Sequence, residues 1–98
     1  MQLVLCFTGL EPTAAIREHI RSRLHAIARL LPPVPATAHI AVRGGSEHHR
    51  VDAEISFAAV TLRTHQTSAS VIAGTDLALD DIETQARTRA QSRPVPAR

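Results

Sequence analysis

Apolar residues in this chain follow helical spacing in one early segment and alternating spacing in several later ones. In residues 13–31 the apolar positions Ile16, Ile20, Leu24, Ile27 and Leu31 share one face at about 100° per residue. Thr13 stands where an N-cap is expected, and the prolines that begin at residue 32 cannot continue a helix. The pattern therefore predicts a helix that follows the Thr13 cap and runs to about Leu31.

Four segments have the character of β-strands, at residues 1–7, 36–43, 50–60 and 62–71. Alternation is clearest in the third, where Val51, Ala53, Ile55 and Phe57 alternate with polar residues, so one face should be core and the other wet. The first is apolar on both sides, which predicts a largely buried strand with Cys6 as a buried thiol. The fourth is rich in threonine and serine, and its inward register is not decided by the sequence.

The last predicted element is a helix that Gly74 and Thr75 open and Pro94 ends. The element order is then strand, helix, three strands, helix. This order predicts an α+β fold, β-α-β-β-β-α, with a four-stranded sheet and two helices packed on one face. We expect a single domain over residues 1–93 and a short C-terminal tail over residues 94–98.

Composition adds an unusual supply of arginine. All eleven basic residues among the 98 are arginine, against nine acidic residues. Arginine binds phosphate in a planar, bidentate way, which favours an RNA backbone as partner, although a high-GC genome would also replace lysine with arginine. No segment approaches the roughly 20 apolar residues of a membrane span, so we expect a soluble, cytoplasmic protein with no membrane partner.

Charge is arranged differently on the two predicted helices. In the first, Arg17, Arg21, His25 and Arg29 recur every four residues beside the apolar stripe. Like charges at this spacing repel unless an anion lies across them, so this row of basic residues indicates either an anionic partner or a solvated basic face. In the second, acidic residues come early and arginines late, an order that the helix dipole alone can explain.

Other chemistry finds little support in the sequence. Glu47, His48 and His49 are adjacent in a polar loop, where neighbouring histidines rarely direct both rings to one ion. Only two aromatic residues are present, which disfavours base stacking. We expect no enzyme activity, no cofactor and no metal site.

Two stretches resemble a known family. Met1-Gln2-Leu3 with residues 10–18 (Leu-Glu-Pro-Thr-Ala-Ala-Ile-Arg-Glu), and later Ala78-Leu79-Asp80 followed by Ile82, are similar to the ribosome hibernation promoting factor and ribosome-associated inhibitor family in its short form. The resemblance implies a non-enzymatic translation regulator. Such a protein would bind the small ribosomal subunit and its rRNA, and would block the mRNA and tRNA channel during stress or stationary phase.

The family resemblance also implies that RNA-facing cations lie on the two helices. Arg17 and Arg23 match basic sites of the family's first helix, whereas Gln85, Thr88 and Ser92 stand where the second helix usually has lysine or arginine. The candidate RNA-binding residues are Arg17, Arg21, Arg23, Arg29, Arg87, Arg89 and Arg93.

An alternative hypothesis assigns the same fold a protein partner instead of the ribosome. The same domain could be a protein-interaction module that has lost ribosome binding. It could then form a homodimer through an exposed edge strand, for which the fourth strand is a plausible candidate. A stable dimer that is indifferent to nucleic acid would favour this interpretation. A small-molecule or metal-dependent enzyme is a third and weaker hypothesis.

Overall fold

The computed structural model describes the backbone of residues 1–91 and the side chains of residues 1–89. Its six elements follow the predicted order, so the predicted fold class is confirmed. They are β1 (Gln2–Thr8), α1 (Ala14–Ala28), β2 (Ala36–Arg43), β3 (His49–Phe57), β4 (Val60–Ser68) and α2 (Val71–Gln91).

The four strands form one mixed sheet in the order β1-β2-β3-β4. β1 runs parallel to β2, while β3 pairs antiparallel with both β2 and β4. A parallel pair needs a crossover connection, and α1 supplies it. β1 and β4 are therefore the two edges of the sheet.

The core lies between one face of the sheet and the two helices. Val51, Ala53, Ile55 and Phe57 of β3 are all buried, as their alternation predicts. The helices cover this face with residues that share one stripe on each helix: Ile20, Leu24 and Ile27 of α1, and Ala78, Leu79, Ile82 and Ala86 of α2. Each fully buried isoleucine or leucine contributes about 1.5–3 kcal/mol relative to an exposed one, so this contact holds the helices on the sheet.

The register of β4 is settled by burial. Leu62 and Thr64 face the helices and are buried, whereas Arg63 and His65 are exposed on the other face of the sheet. A threonine in an inward position explains why the sequence pattern alone left the register open.

The prediction of a largely buried first strand was wrong. Side chains of β1 alternate between exposed and half-buried, and both Val4 and Cys6 lie on the exposed face. The reason is positional, because within residues 1–91 the helices cover one face of the sheet and β1 has a neighbouring strand on one side only. The apolar residues of β1 therefore indicate its strand propensity and not burial on both faces of the strand.

Ile20, Leu24 and Ile27 of the predicted first-helix stripe are buried, but each helix differs from the prediction at one end. The Thr13 cap is confirmed, since its Oγ1 accepts a hydrogen bond from the Ile16 N–H at 3.1 Å. α1 ends at Ala28, three residues before the predicted end, and residues 29–31 continue as a turn. The start of α2 at Gly74 was also wrong, because the helix begins at Val71. Its predicted end at Pro94 lies outside the described residues.

The first turn of α2 explains the error. Ser70 precedes the helix, and its Oγ accepts a hydrogen bond from the Ala73 N–H at 3.3 Å. Gly74 lies inside the helix and is buried against the sheet, where an added Cβ would come within 3.2 Å of Ser68 Cβ and 3.3 Å of Val51 Cγ2. The glycine therefore permits close packing of helix and sheet, and does not mark a helix start.

One end of the sheet brings two glycine backbones together. The Gly44 N–H donates to the Thr8 carbonyl at 2.7 Å, which continues the β1–β2 pairing past the end of the strand. Gly9 has φ +75°, and an added Cβ on Gly44 would lie 2.7 Å from the Gly9 carbonyl oxygen. Both helices begin at this end of the sheet.

Candidate nucleic-acid interface

A mixed set of charges lines the contact between α1 and α2. His19 Nε2 lies 2.6 Å from Asp76 Oδ1, and Arg23 reaches the same oxygen with Nη1 at 3.1 Å. Arg23 Nη2 also donates to Asp80 Oδ1 at 2.5 Å. His19 precedes Arg23 along α1, and their partners Asp76 and Asp80 follow in the same order along α2. The two helices therefore run parallel.

Arg23 is the central residue of this contact. Its side chain is only 25% exposed, whereas that of Arg87 is 58% exposed, so solvent screens the Arg23 guanidinium less. Burial lowers the pKa of Arg23, but the hydrogen bond to Asp80 and the charges of Asp80, Asp76 and Glu83 outweigh it and raise the pKa above its usual value. The guanidinium is therefore permanently charged and committed to carboxylates of α2.

The remaining candidate arginines of α1 are exposed and point elsewhere. At about 100° per residue, Arg17 and Arg21 lie on the side of α1 that faces the β1 edge, away from α2. Arg21 lines a surface cavity on that side together with His25. Arg29 follows the end of the helix and is exposed. Among the described residues, none of these three arginines forms an ion pair.

Charge changes sign along α2. The acidic residues Asp76, Asp80, Asp81 and Glu83 precede both described arginines of the helix. Arg87 lies 3.7 Å from Glu83 one turn earlier, and Arg89 is exposed without an ion pair in the part of the chain that the structure describes. Arg93 lies outside the described residues, so its assignment remains a prediction.

Because the two helices run parallel, the basic residues near their C-terminal ends lie at the same end of the helical layer. The pairs His19–Asp76 and Arg23–Asp80 have the same offset of 57 residues. Continued along both helices, this offset places Arg29 level with residue 86, next to Arg87. The helical layer is thus acidic in the first half of α2 and basic along the β1 side of α1 and at the C-terminal end of both helices.

The open face of the sheet carries further arginines that the sequence analysis did not single out. Arg43 and Arg50 are cross-strand partners on this face. Arg50 pairs with Asp52 at 3.1 Å, whereas Arg43 has no ion pair within the described chain. The β3 alternation signals an exposed face, but the pairing of Arg43 with Arg50 depends on a register that only the structure gives.

The histidine loop does not assemble into a site. Glu47 and His48 are exposed, and His49 is half-buried at the start of β3. Among the described residues no group of three or more His, Cys, Asp or Glu side chains is arranged to hold a metal ion. The described helices also include none that is long and apolar enough to cross a membrane.

Comparison with solved structures identifies proteins with the same fold. The fold is similar to the crystal structure of the Thermus thermophilus Protein Y N-terminal domain, with a TM-score of 0.80, 22% identity, and coverage of 90% of this chain and 98% of that one. It is also similar to a ribosomal subunit interface protein from Coxiella burnetii, with a TM-score of 0.78, 22% identity, and coverage of 94% and 100%. No curated protein matches the sequence significantly.

Sequence similarity at the family level extends over most of the chain. A family model described as "Sigma 54 modulation protein / S30EA ribosomal protein" matches residues 4–93, which is nearly the whole chain. The resemblance to hibernation factors inferred from the strand and helix motifs is thereby confirmed. The chain belongs to the sigma 54 modulation protein / S30EA ribosomal protein family.

Proposed function

We propose that this protein is a non-enzymatic translation regulator that binds the rRNA of the small ribosomal subunit and blocks the mRNA and tRNA channel under stress or in stationary phase. Family membership supports a ribosomal partner, and one structural neighbour is named a ribosomal subunit interface protein. The protein acts by occupying a site rather than by chemistry. A ribosomal partner implies that it works in the cytoplasm.

The observation that carries the proposal is the contrast among the arginines of α1. Arg17, Arg21 and Arg29 are exposed and have no ion pair among the described residues, so their guanidinium groups can bind phosphates without first leaving a carboxylate. Phosphate contacts of this kind give affinity that depends on salt and hardly on sequence. RNA contact is therefore centred on α1 and on the basic C-terminal end of the helical layer, where Arg87 and Arg89 add to it.

Arg23 has a different part in this proposal. Its guanidinium bridges Asp76 and Asp80, which offsets part of the negative charge of two carboxylates that would otherwise face incoming phosphates. It also fixes the position of α2 beside α1. Arg23 thus contributes to RNA binding mainly by holding the two helices and masking acidic charge.

The test is co-sedimentation of the purified protein with purified small subunits, with large subunits as a control, at low and high salt. We expect the protein to pellet with small subunits at low salt and to be released as salt rises. A combined Arg17→Glu, Arg21→Glu and Arg29→Glu variant should stay in the supernatant, while Arg43→Glu on the open sheet face should behave like wild type. Wild-type protein that stays in the supernatant at every salt concentration would refute the proposal.

A second candidate function is self-association through a sheet edge. The sheet topology supports it, since within residues 1–91 both β1 and β4 have no strand on their outer side. Light scattering on the purified protein separates the two candidates. A stable dimer that does not bind small subunits favours self-association.

A further inference from the structure

The free edge of β1 lacks the features that protect sheet edges. β1 is an edge strand of seven residues, Gln-Leu-Val-Leu-Cys-Phe-Thr, with no charged residue and no proline. Natural sheets usually block such an edge with lysine, proline, a bulge or a covering segment. In the described chain no strand pairs with the outer side of β1. Its outward backbone N–H and C=O groups are therefore available to another strand.

A cavity opens beside this edge. It has a volume of about 290 Å³ and lies between β1 and the adjacent side of α1. Its lining is apolar at Met1, Leu3, Leu24 and Ala28, cationic at Arg21 and polar at His25. Leu3 is only half-buried, so the cavity exposes apolar surface of the β1 strand itself.

We propose that the β1 edge is a docking site for an extended, acidic protein segment that adds to the sheet as a fifth strand. The backbone of the segment would continue the β ladder, an apolar side chain would enter the cavity, and flanking carboxylates would meet the guanidinium groups of Arg21 and Arg17. Strand addition of this kind derives affinity from main-chain hydrogen bonds and specificity from pockets beside the strand. Charge complementarity selects acidic flanks, because arginine binds carboxylates in a bidentate way.

A second copy of this chain fits the edge less well. Two antiparallel β1 strands would be related by a two-fold axis perpendicular to the sheet, which puts both α1 helices on the same face. The cationic sides of the two helices would then face each other across that axis, with Arg17 and Arg21 of each copy directed at the other. Repulsion between like charges opposes this arrangement, whereas an acidic segment removes it.

RNA also differs from the proposed ligand in a testable way. A phosphate backbone can bind Arg21, but it has no alternating N–H and C=O groups to continue a β ladder. Peptide binding at the β1 edge can therefore be tested separately from ribosome binding. It predicts dependence on strand pairing as well as on charge.

The experiment measures fluorescence anisotropy of a labelled peptide, Asp-Glu-Leu-Thr-Val-Thr-Asp, titrated with the full-length protein. Two control peptides isolate the two contributions: one has lysine in place of each acidic residue, and the other has proline in place of each threonine. The proline peptide keeps the charge and the apolar residues but cannot pair as a strand. We expect the first peptide to bind, and both controls to bind at least about tenfold more weakly.

Matched protein variants complete the design. Arg21→Glu, at the cavity, should weaken binding of the acidic peptide about five- to tenfold, while Arg63→Glu, the same charge change on β4 at the opposite edge of the sheet, should weaken it less than about twofold. Circular dichroism confirms that both variants are folded. Equal binding of the acidic and proline peptides, equal effects of the two variants, or no binding of any peptide overturns the proposal. A dimer in light scattering that dissociates on mutation of the β1 edge also overturns it, in favour of a second copy.

Discussion

Replacing Arg23 by methionine should destabilise the fold, because Arg23 joins the two helices. Methionine retains the apolar stem of the side chain but removes the guanidinium that contacts Asp76 and Asp80. The two carboxylates are one helical turn apart on the same side of α2, so they would then repel each other. The expected change is a lower free energy of unfolding with the same overall fold.

The solvent exposure of the three side chains determines how much stability Arg23→Met removes. Arg23 is 25% exposed, Asp76 is 38% exposed and Asp80 is 63% exposed, so solvent screens the contact with Asp80 most. Hydrogen bonds between charged groups are worth about 1.5–3 kcal/mol when shielded, and exposed ion pairs about 0.2–1 kcal/mol. Loss of both contacts should therefore cost about 1–2 kcal/mol. Coupling between Arg23 and Asp80 alone should be about 0.5–1 kcal/mol.

Urea denaturation followed by far-ultraviolet circular dichroism is the suitable assay, because the chain has neither tryptophan nor tyrosine for intrinsic fluorescence. A double-mutant cycle of Arg23→Met and Asp80→Asn gives the coupling energy. Arg21→Met is the matched control, since Arg21 is exposed and should change stability by no more than about 0.5 kcal/mol. If Arg23→Met changes stability no more than Arg21→Met does, Arg23 is not the interhelical contact described here.

Three further predictions concern the core and the sheet end, each measured by urea or thermal denaturation. Thr75→Val should raise the free energy of unfolding by about 1 kcal/mol, because the Thr75 Oγ1 is buried without a hydrogen-bond partner among the described residues and valine has nearly the same shape; a loss of stability would mean that this hydroxyl does form a hydrogen bond. Gly44→Ala should cost about 1–3 kcal/mol, since the new Cβ would collide with the Gly9 carbonyl oxygen, and an unchanged midpoint would contradict that close approach. Ile27→Ala should cost about 2–5 kcal/mol because Ile27 is fully buried, whereas Ile72→Ala, at a residue 51% exposed, should cost less than about 1 kcal/mol; similar losses would disprove the assigned core.

Most of the fold was predictable because it depends on local patterns. β3 alternates without interruption, and α1 keeps one apolar stripe after a threonine cap, so element type followed from spacing. The failures depend on tertiary context. The exposed position of Cys6 follows from the place of β1 at a sheet edge that helices cover on one face only, and the position of Gly74 follows from close packing against β3.

The candidate site was predictable only in part. Helical spacing already indicated that Arg17, Arg21 and Arg29 lie off the apolar stripe, and all three are exposed. The commitment of Arg23 to Asp76 and Asp80 was not visible, because its partners are more than fifty residues away in sequence and become neighbours only when α1 and α2 pack in parallel. Charge patterning within one helix cannot reveal a contact between two helices.

The salt dependence of binding to purified small subunits tests the account most directly. If the five exposed arginines Arg17, Arg21, Arg29, Arg87 and Arg89 each neutralise one phosphate, doubling the salt concentration should weaken binding about 10- to 20-fold. Replacing Arg21 and Arg29 together by methionine should lower the slope of log K against log salt by about 2, while Arg23→Met should leave the slope nearly unchanged. Binding that does not depend on salt, or a slope that changes only with Arg23→Met, would contradict the account.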